Sequence, residues 1–165
     1  MILNHQRGVR VSVRELEKFV ARARSVLRIP VDAVTICLVN NAAIARWNNT
    51  YRGKKGATDV LSFPANDVPS MPKKQAGRRK SFSNNLAPYS PSRAPSPPGD
   101  GYLGDIAIAP AVARRNSRRF GRTLSEEMCI LVLHGILHLM GYDHETDNGE
   151  MDRRERRLRR QFGLA

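Results

Sequence analysis

The most informative stretch of the sequence is His134-Gly-Ile-Leu-His138-Leu-Met-Gly141-Tyr-Asp-His144, which holds three of the chain's four histidines. His134 and His138 lie four residues apart, so a helix places both side chains on one face. Gly141 suits the position just after a helix, where the chain commonly turns. After such a turn, His144 can approach the other two histidines.

The helix that carries these histidines has a clear start. Thr123-Leu-Ser-Glu126 fits a capping box, in which the Thr and Glu side chains satisfy free backbone N–H groups. The segment from Met128 to Leu139 is apolar on nearly all sides, which is typical of a buried helix. A lone histidine there would be read as a hydrogen-bonded core residue. Two at this spacing favour a shared metal, since each unpaired buried polar group costs roughly 2–7 kcal/mol.

Three imidazoles with one open position are the ligands of a catalytic zinc site. Zinc proteases with this spacing carry Glu directly after the first His as general base. Here that residue is Gly135. Because a general base contributes about 10²–10⁴-fold, its absence disfavours peptide hydrolysis. Bound zinc would still lower the pKa of water to about 7, so we expect hydrolytic chemistry. Imidazole also suits nickel and other divalent ions.

Composition indicates one domain with a polyanionic partner. The chain has 165 residues and a formal net charge of +13, a balance that suits RNA, DNA, an anionic membrane surface or solubility alone. No apolar run approaches the ~20 residues that span a bilayer. The beginning of the sequence lacks the order of a secretory signal. Cys37 and Cys129 lie in apolar segments, which favours reduced thiols in a cytoplasmic protein.

Residues 65–100 differ in composition from the rest of the chain. They hold seven of the ten prolines and the basic run from Lys73 to Lys80. Their apolar residues are scattered without period, so the segment cannot bury enough surface to offset its ordering entropy. We therefore predict one domain over residues 1–165, interrupted by a flexible insertion at 65–100 between two strands.

Hydrophobic periodicity predicts the other elements. We expect helices over residues 13–27, with Ser12 as N-cap, and over residues 41–51, and a further helix from Pro110. We expect strands over residues 33–39, 59–64 and 102–109. The basic run from Arg153 to Arg160 is interpreted as a solvated surface with i,i+4 ion pairs. The simplest interpretation of Arg114, Arg115, Arg118 and Arg119 is likewise a solvated helix face.

Two further segments add to the histidine stretch. Asn48-Asn-Thr-Tyr-Arg52, followed by Thr58-Asp-Val-Leu-Ser-Phe-Pro64, precedes Leu103-Gly-Asp-Ile106. Together, in this order, they resemble the YbeY family of bacterial endoribonucleases and rRNA maturation factors. The resemblance covers most of the chain outside the insertion. It implies a small α/β (α+β) domain with a mixed sheet of about four strands and the metal helix packed on it.

The resemblance also implies a function. It places one Zn²⁺ at His134, His138 and His144, and it matches Arg52 with the family's functional arginine. It implies cleavage of single-stranded RNA in 3′-end processing of small-subunit rRNA and in ribosome quality control. The implied partners are rRNA, the small ribosomal subunit with its proteins, and an assembly GTPase. The long insertion and the strongly basic tail depart from the family's usual pattern.

Roles for individual residues follow as hypotheses. We place Arg52 and His138 in the catalytic set, with the Arg52 guanidinium holding the scissile phosphate. The alternative for Arg52 is an ordinary surface arginine. Asp143 could orient an imidazole or relay a proton, or it could be a turn carboxylate without a catalytic role. Asp59 and Asp105, at strand edges, are predicted to be structural hydrogen-bonding residues.

Three functions remain in competition. The first is a zinc-dependent endoribonuclease acting on rRNA. The second is a ribosome-assembly binding module in which the metal only stabilises the fold. The third is a zinc protease, which Gly135 disfavours. Structural zinc sites close with four protein ligands, and the sequence offers no evident fourth, which favours an open catalytic site.

Overall fold

A computed structural model describes residues 1–65, 101–144 and 146–164. The strands are β1 (Ile2–Asn4), β2 (Val34–Leu38), β3 (Val60–Pro64) and β4 (Gly104–Ile108). The helices are α1 (Val13–Leu27), α2 (Asn41–Arg52), α3 (Pro110–Arg119), α4 (Leu124–Leu139) and α5 (Glu150–Phe162). Apart from Ala65, the insertion predicted at 65–100 lies outside the described residues. Within the described ranges, no helix is both long and apolar enough to cross a membrane.

The four strands form one mixed sheet in the order β1-β2-β4-β3. Strands β1, β2 and β4 are parallel, and β3 runs antiparallel to β4 at one edge. Pro64 lies directly opposite Gly104 in this pair. The Ala65 N–H donates to the Leu103 carbonyl at 2.9 Å, so the described residues on either side of 66–100 are strand neighbours. The expected α/β fold with a mixed sheet is confirmed.

Alternation along the strands gives the sheet two apolar faces. Ile36, Leu38, Ile106 and Ile108 are fully buried on one face, in a core built with α1, α4 and α5. The opposite face packs on α2 and the start of α3 through a smaller core of Cys37, Val39, Ile44, Leu61, Ala107, Ala109 and Val112. Helix α4 therefore lies between the sheet and the other helices of its layer, which explains why it is apolar on nearly all sides. Both cysteines are free and buried, as expected.

The predicted ends of the helices are confirmed where the sequence offers a capping residue. Ser12 Oγ accepts from the Glu15 N–H at the start of α1. At the start of α4, the Glu126 N–H donates to Thr123 Oγ1 at 3.2 Å, and the Thr123 N–H donates to Glu126 Oε2 at 2.7 Å. These reciprocal bonds form the capping box that Thr123-Leu-Ser-Glu126 predicts. Helix α1 has its predicted bounds, and the ends of α2 and of the three predicted strands differ from the predicted ones by at most two residues.

Two elements were not predicted. Strand β1 has three residues, too few to show an alternating pattern. Helix α5 contains the basic run from Arg153 to Arg160, which conceals its apolar face. Met151, Leu158 and Phe162 recur at helical spacing and are buried. The expected i,i+4 pairing is confirmed within this helix by the ion pair between Glu155 and Arg159.

Candidate metal centre

The three histidines of the sequence motif converge at the end of α4. One ring nitrogen from each of His134, His138 and His144 lies within 4.8 Å of the other two. His134 Nε2 and His138 Nε2 are 3.1 Å apart. Within the described ranges, these three form the one group of three or more His, Cys, Asp or Glu side chains so placed. The predicted convergence is therefore what the structure shows.

The turn that returns His144 to the helix is a Schellman motif. The Tyr142 N–H donates to the Leu137 carbonyl at 3.1 Å, and the Gly141 N–H donates to the His138 carbonyl at 2.9 Å. Gly141 has φ of +91°, a conformation that side chains with a Cβ rarely adopt. His134 and His138 are half-buried and His144 is exposed, so the cluster opens to solvent on the His144 side.

Glu155 of α5 fixes the orientation of His134. Its Oε2 lies 2.9 Å from His134 Nδ1, and its other oxygen pairs with Arg159. Burial alone would raise the pKa of Glu155, but the hydrogen bond to His134 and the charge of Arg159 outweigh it, so its pKa lies below the usual range. An ionised carboxylate only accepts hydrogen bonds. His134 therefore donates from Nδ1, and in the neutral ring the lone pair is at Nε2.

His138 is held in its neutral form. Burial lowers its pKa, and the neighbouring His134 and His144 lower it further. A hydrogen bond with the Tyr142 backbone and the charge of Asp143 act in the opposite direction without reversing the shift. The neutral imidazole is the form that coordinates metals. At neutral pH, His138 is thus in the form that binds a metal.

The donor set fits a zinc-type ion. Zn–N bonds of about 2.0–2.1 Å in a tetrahedral site place neighbouring nitrogens about 3.3 Å apart. The 3.1 Å between the Nε2 atoms of His134 and His138 is close to that spacing. His134 Nδ1 is already satisfied by Glu155, which leaves Nε2 for the ion and matches the carboxylate–histidine arrangement of metal sites. Three imidazoles also suit copper, iron and nickel, so the geometry indicates a metal site without selecting the metal.

Gly135 has a packing role in the position where zinc proteases carry their general base. A Cβ built there would lie 2.8–3.1 Å from three side-chain atoms of Ile106 on β4. The Gly135 carbonyl also accepts from Ser62 Oγ of β3, at 3.4 Å. Helix α4 thus approaches the sheet too closely at this point for any larger residue. A glutamate at position 135 would need this interface to separate.

Arg52 is exposed at the last position of α2. Helix α2 packs on the sheet face opposite α4, so Arg52 and the histidines begin on different faces. Both helices reach the edge strand β3, since Phe63 contacts Tyr51 of α2 with ring centroids 5.2 Å apart and Ser62 contacts α4. The edge strand β3 is therefore the element that links the end of α2 to α4.

Asp143 is part of the turn that carries His144. Its Oδ2 accepts from Thr146 Oγ1 at 2.9 Å, and its carbonyl accepts from the Thr146 and Asp147 N–H groups. These bonds show that Asp143 is a turn carboxylate, and its role toward the imidazoles stays a prediction. Its charge nevertheless acts on His138, whose pKa it raises in part.

The two aspartates expected to be structural make structural hydrogen bonds. Asp59 accepts from the Val60 N–H and from Asn116 Nδ2, each at 2.9 Å, and so ties β3 to α3. Asp105 Oδ1 accepts from Tyr102 Oη at 2.6 Å. Burial, followed by this hydrogen bond, raises the pKa of Tyr102 to about 12.

Glu155 is the site residue that sequence reasoning missed. It occupies a position on the apolar face of α5 where helical spacing from Met151 and Leu158 predicts a core side chain. A carboxylate at a core position demands a buried partner, and that partner is His134. This charged residue within an apolar helix face was the signal in the sequence that could have identified Glu155 as a site residue.

Comparisons with known proteins identify one family. The family described as Endoribonuclease YbeY matches residues 1–163. Similar proteins named Endoribonuclease YbeY include one from Sulfurovum sp., 32% identical over 98% of this chain and 90% of the relative. Another, from Solibacter usitatus, is 35% identical over 92% of this chain and 75% of the relative. The solution structure of TM1509 from Thermotoga maritima is 25% identical, has a TM-score of 0.52, and matches 95% of this chain and 85% of that one.

Proposed function

Since the chain belongs to the YbeY family of endoribonucleases, whose activity is hydrolysis of RNA, we propose that it is zinc-dependent and specific for single strands. Its proposed role is to process the 3′ end of small-subunit rRNA and to act in ribosome quality control. It would work in the cytoplasm on the small ribosomal subunit, with that subunit's proteins or an assembly GTPase as partners. The observation that carries the proposal is the cluster of three converging imidazoles, open to solvent on one side.

His134, His138 and His144 would hold the ion. When bound, zinc supplies charge stabilisation at a phosphoryl oxygen and activates water near neutral pH. Glu155 keeps the His134 ring fixed and its Nε2 lone pair directed away from α5. Burial keeps His138 neutral, so that metal binding does not require the loss of a proton from this ring. The exposed His144 puts one side of the cluster at the surface, where a large substrate would approach.

Arg52 is proposed to hold the scissile phosphate. Its planar guanidinium matches the geometry of phosphate oxygens. A strand of RNA lying across the β3 edge would meet the end of α2 on one side and the end of α4 on the other. Asp143, beside His144, is proposed to orient that imidazole or to relay a proton.

The packing of Gly135 against Ile106 supports a nuclease over a protease. The close approach leaves no space for the general-base glutamate of zinc proteases. Phosphodiester hydrolysis depends more on charge neutralisation at the phosphate, which a cation and an arginine supply. The purely structural role for the metal would instead be favoured by a fourth protein ligand, and the described residues place three ligands together.

The test uses zinc-loaded protein and precursor rRNA that contains the 3′ end of the small-subunit RNA. We expect metal-dependent cleavage by the wild type and none by His138→Ala. Arg52→Ala should retain its zinc and cleave about 10- to 100-fold more slowly, as expected for loss of charged hydrogen bonds. Arg14→Ala, which removes another exposed arginine on α1, is the matched control. Zinc-loaded wild type without cleavage would instead favour the binding module.

A further inference from the structure

A cleft lies beside His134. Its volume is about 320 Å³. It is formed where the start of β3, the end of α3, α4 and α5 meet. Its lining includes Asp59, Asn116, Phe120, Arg122, His134 and Arg159. The cleft is thus continuous with the candidate metal centre through one shared residue.

Phe120 stands out at the rim of this cleft. It follows α3 and is 54% exposed, more than any other Phe, Tyr or Trp among the described residues. The guanidinium carbons of Arg119 and Arg122 lie 5.7 and 5.2 Å from its ring centroid. An aromatic ring beside cations is the combination with which proteins stack single-stranded bases and neutralise the adjoining phosphates. Arginine planes can themselves stack on bases.

Each acidic group of the cleft has a hydrogen-bond partner within it, and that of Glu127 is a cation. Asp59 accepts from Asn116 Nδ2 at 2.9 Å, and the buried Glu127 pairs with Arg122 at 3.1 Å. Glu127 therefore holds the Arg122 side chain in place beside Phe120 rather than repelling an approaching phosphate. The base of the cleft is apolar, formed by Ile130 and Leu131. A nucleobase, which is a flat ring with polar edges, matches this combination of an apolar floor and polar walls.

We propose that this cleft is the subsite for the nucleotide next to the scissile phosphate, with its base stacked on Phe120 and its phosphate facing Arg119. The inference rests on the proposed RNA substrate. A volume near 320 Å³ is at the lower end of the range for ligand pockets and suits one nucleotide. A base can enter only when it is free of a duplex, because paired bases are stacked inside the helix. The cleft therefore supplies a physical basis for preference toward single strands.

The first experiment measures binding of zinc-loaded protein to a fluorescent single-stranded RNA with 2′-O-methyl groups throughout, next to a duplex of the same sequence. Phe120→Leu keeps an apolar side chain but removes the aromatic face. It should weaken single-strand binding about 5- to 100-fold, the range found for loss of one stacked base. Phe120→Trp retains the aromatic face and should bind as the wild type does. Duplex binding should be the same in all three proteins.

The second experiment follows the dependence of binding on salt. Arg119→Met should reduce the slope of log affinity against log salt by about 0.7–0.9, the value for one phosphate contact. Arg114→Met removes an exposed arginine from another side of the same helix and should leave the slope unchanged.

The outcomes separate this inference from the proposed nuclease activity. If Phe120→Leu binds single-stranded RNA as tightly as the wild type does, the proposed subsite is wrong, whether or not the protein cleaves RNA. If the wild type binds single-stranded RNA through Phe120 but does not cleave it, the subsite is supported and the proposed nuclease activity is refuted. Equal losses in Phe120→Leu and Phe120→Trp would also overturn stacking, since the latter keeps an aromatic ring.

Discussion

Replacing Glu155 with Gln should weaken zinc binding about 10- to 100-fold while the protein stays folded. The substitution keeps the size of the side chain and an oxygen that can accept from His134 Nδ1, 2.9 Å away in the structure. It removes the negative charge that favours a fixed, electron-rich imidazole. A 10- to 100-fold loss corresponds to roughly 1.4–2.7 kcal/mol of binding free energy.

The same substitution should affect the metal-free protein differently. Glu155 also pairs with Arg159, and hydrogen bonds to charged groups contribute about 1.5–3 kcal/mol. Because the pKa of Glu155 is held below its usual range, its ionised form stabilises the fold above about pH 4.3. That contribution is lost as the pH falls through the lowered pKa. The difference in stability between wild type and Glu155→Gln should therefore shrink in acid.

Two assays separate the effects. Competition with a chromophoric chelator gives the zinc affinity, and urea unfolding of the metal-free protein gives the stability. Asp152→Asn is the matched control, because Asp152 is an exposed carboxylate in the same helix. The control should bind zinc as tightly as the wild type. Folded Glu155→Gln with undiminished zinc affinity would refute the idea that Glu155 orients a metal ligand.

Three further predictions concern the framework around the site. Gly135→Ala should lower the free energy of unfolding by up to about 2 kcal/mol, since overpacking against Ile106 costs about 1–3 kcal/mol and the gain in helix propensity offsets about 1 kcal/mol of it; additive costs with Ile106→Val in a double-mutant cycle would contradict this contact. Tyr102, hydrogen-bonded to Asp105, should ionise near pH 12. The contribution of the neutral hydroxyl to the free energy of unfolding should therefore be complete below about pH 10 and be lost toward pH 12. An absorbance difference between wild type and Tyr102→Phe that titrates near pH 10 would disprove that environment. Asp147→Ala should cost about 1–2 kcal/mol in urea unfolding, because this carboxylate accepts three backbone N–H groups at the start of α5; an unchanged midpoint would exclude the capping role.

Local signals explain what the sequence could predict. The capping box at Thr123 and Glu126, the i,i+4 histidines and Gly141 each act within a few residues of one another. Their consequences, a buried helix and a Schellman turn, needed no knowledge of distant contacts. Strands whose polar and apolar residues alternate clearly could be predicted in the same way. The mixed sheet was predicted from the resemblance of these segments to a known family.

Contacts between distant segments explain what could not be predicted. Glu155 is 21 residues from His134, and its helix is concealed by the basic side chains around it. The position of Arg52 on the other face of the sheet from α4 depends on strand order, which no motif in the sequence specifies. Gly135 could be recognised as a missing glutamate. That Ile106 excludes a larger residue there required the packing of α4 on β4.

The central claim is that the three histidines hold a metal with which the protein cleaves single-stranded RNA. Its most direct test is the rate of cleavage of a labelled single-stranded RNA by wild type and His138→Ala, with the zinc content of each preparation measured alongside. We predict cleavage by the wild type that rises with zinc occupancy, and loss of both zinc and cleavage in His138→Ala. Equal cleavage by both proteins, or zinc-loaded wild type that leaves the RNA intact, would contradict the claim.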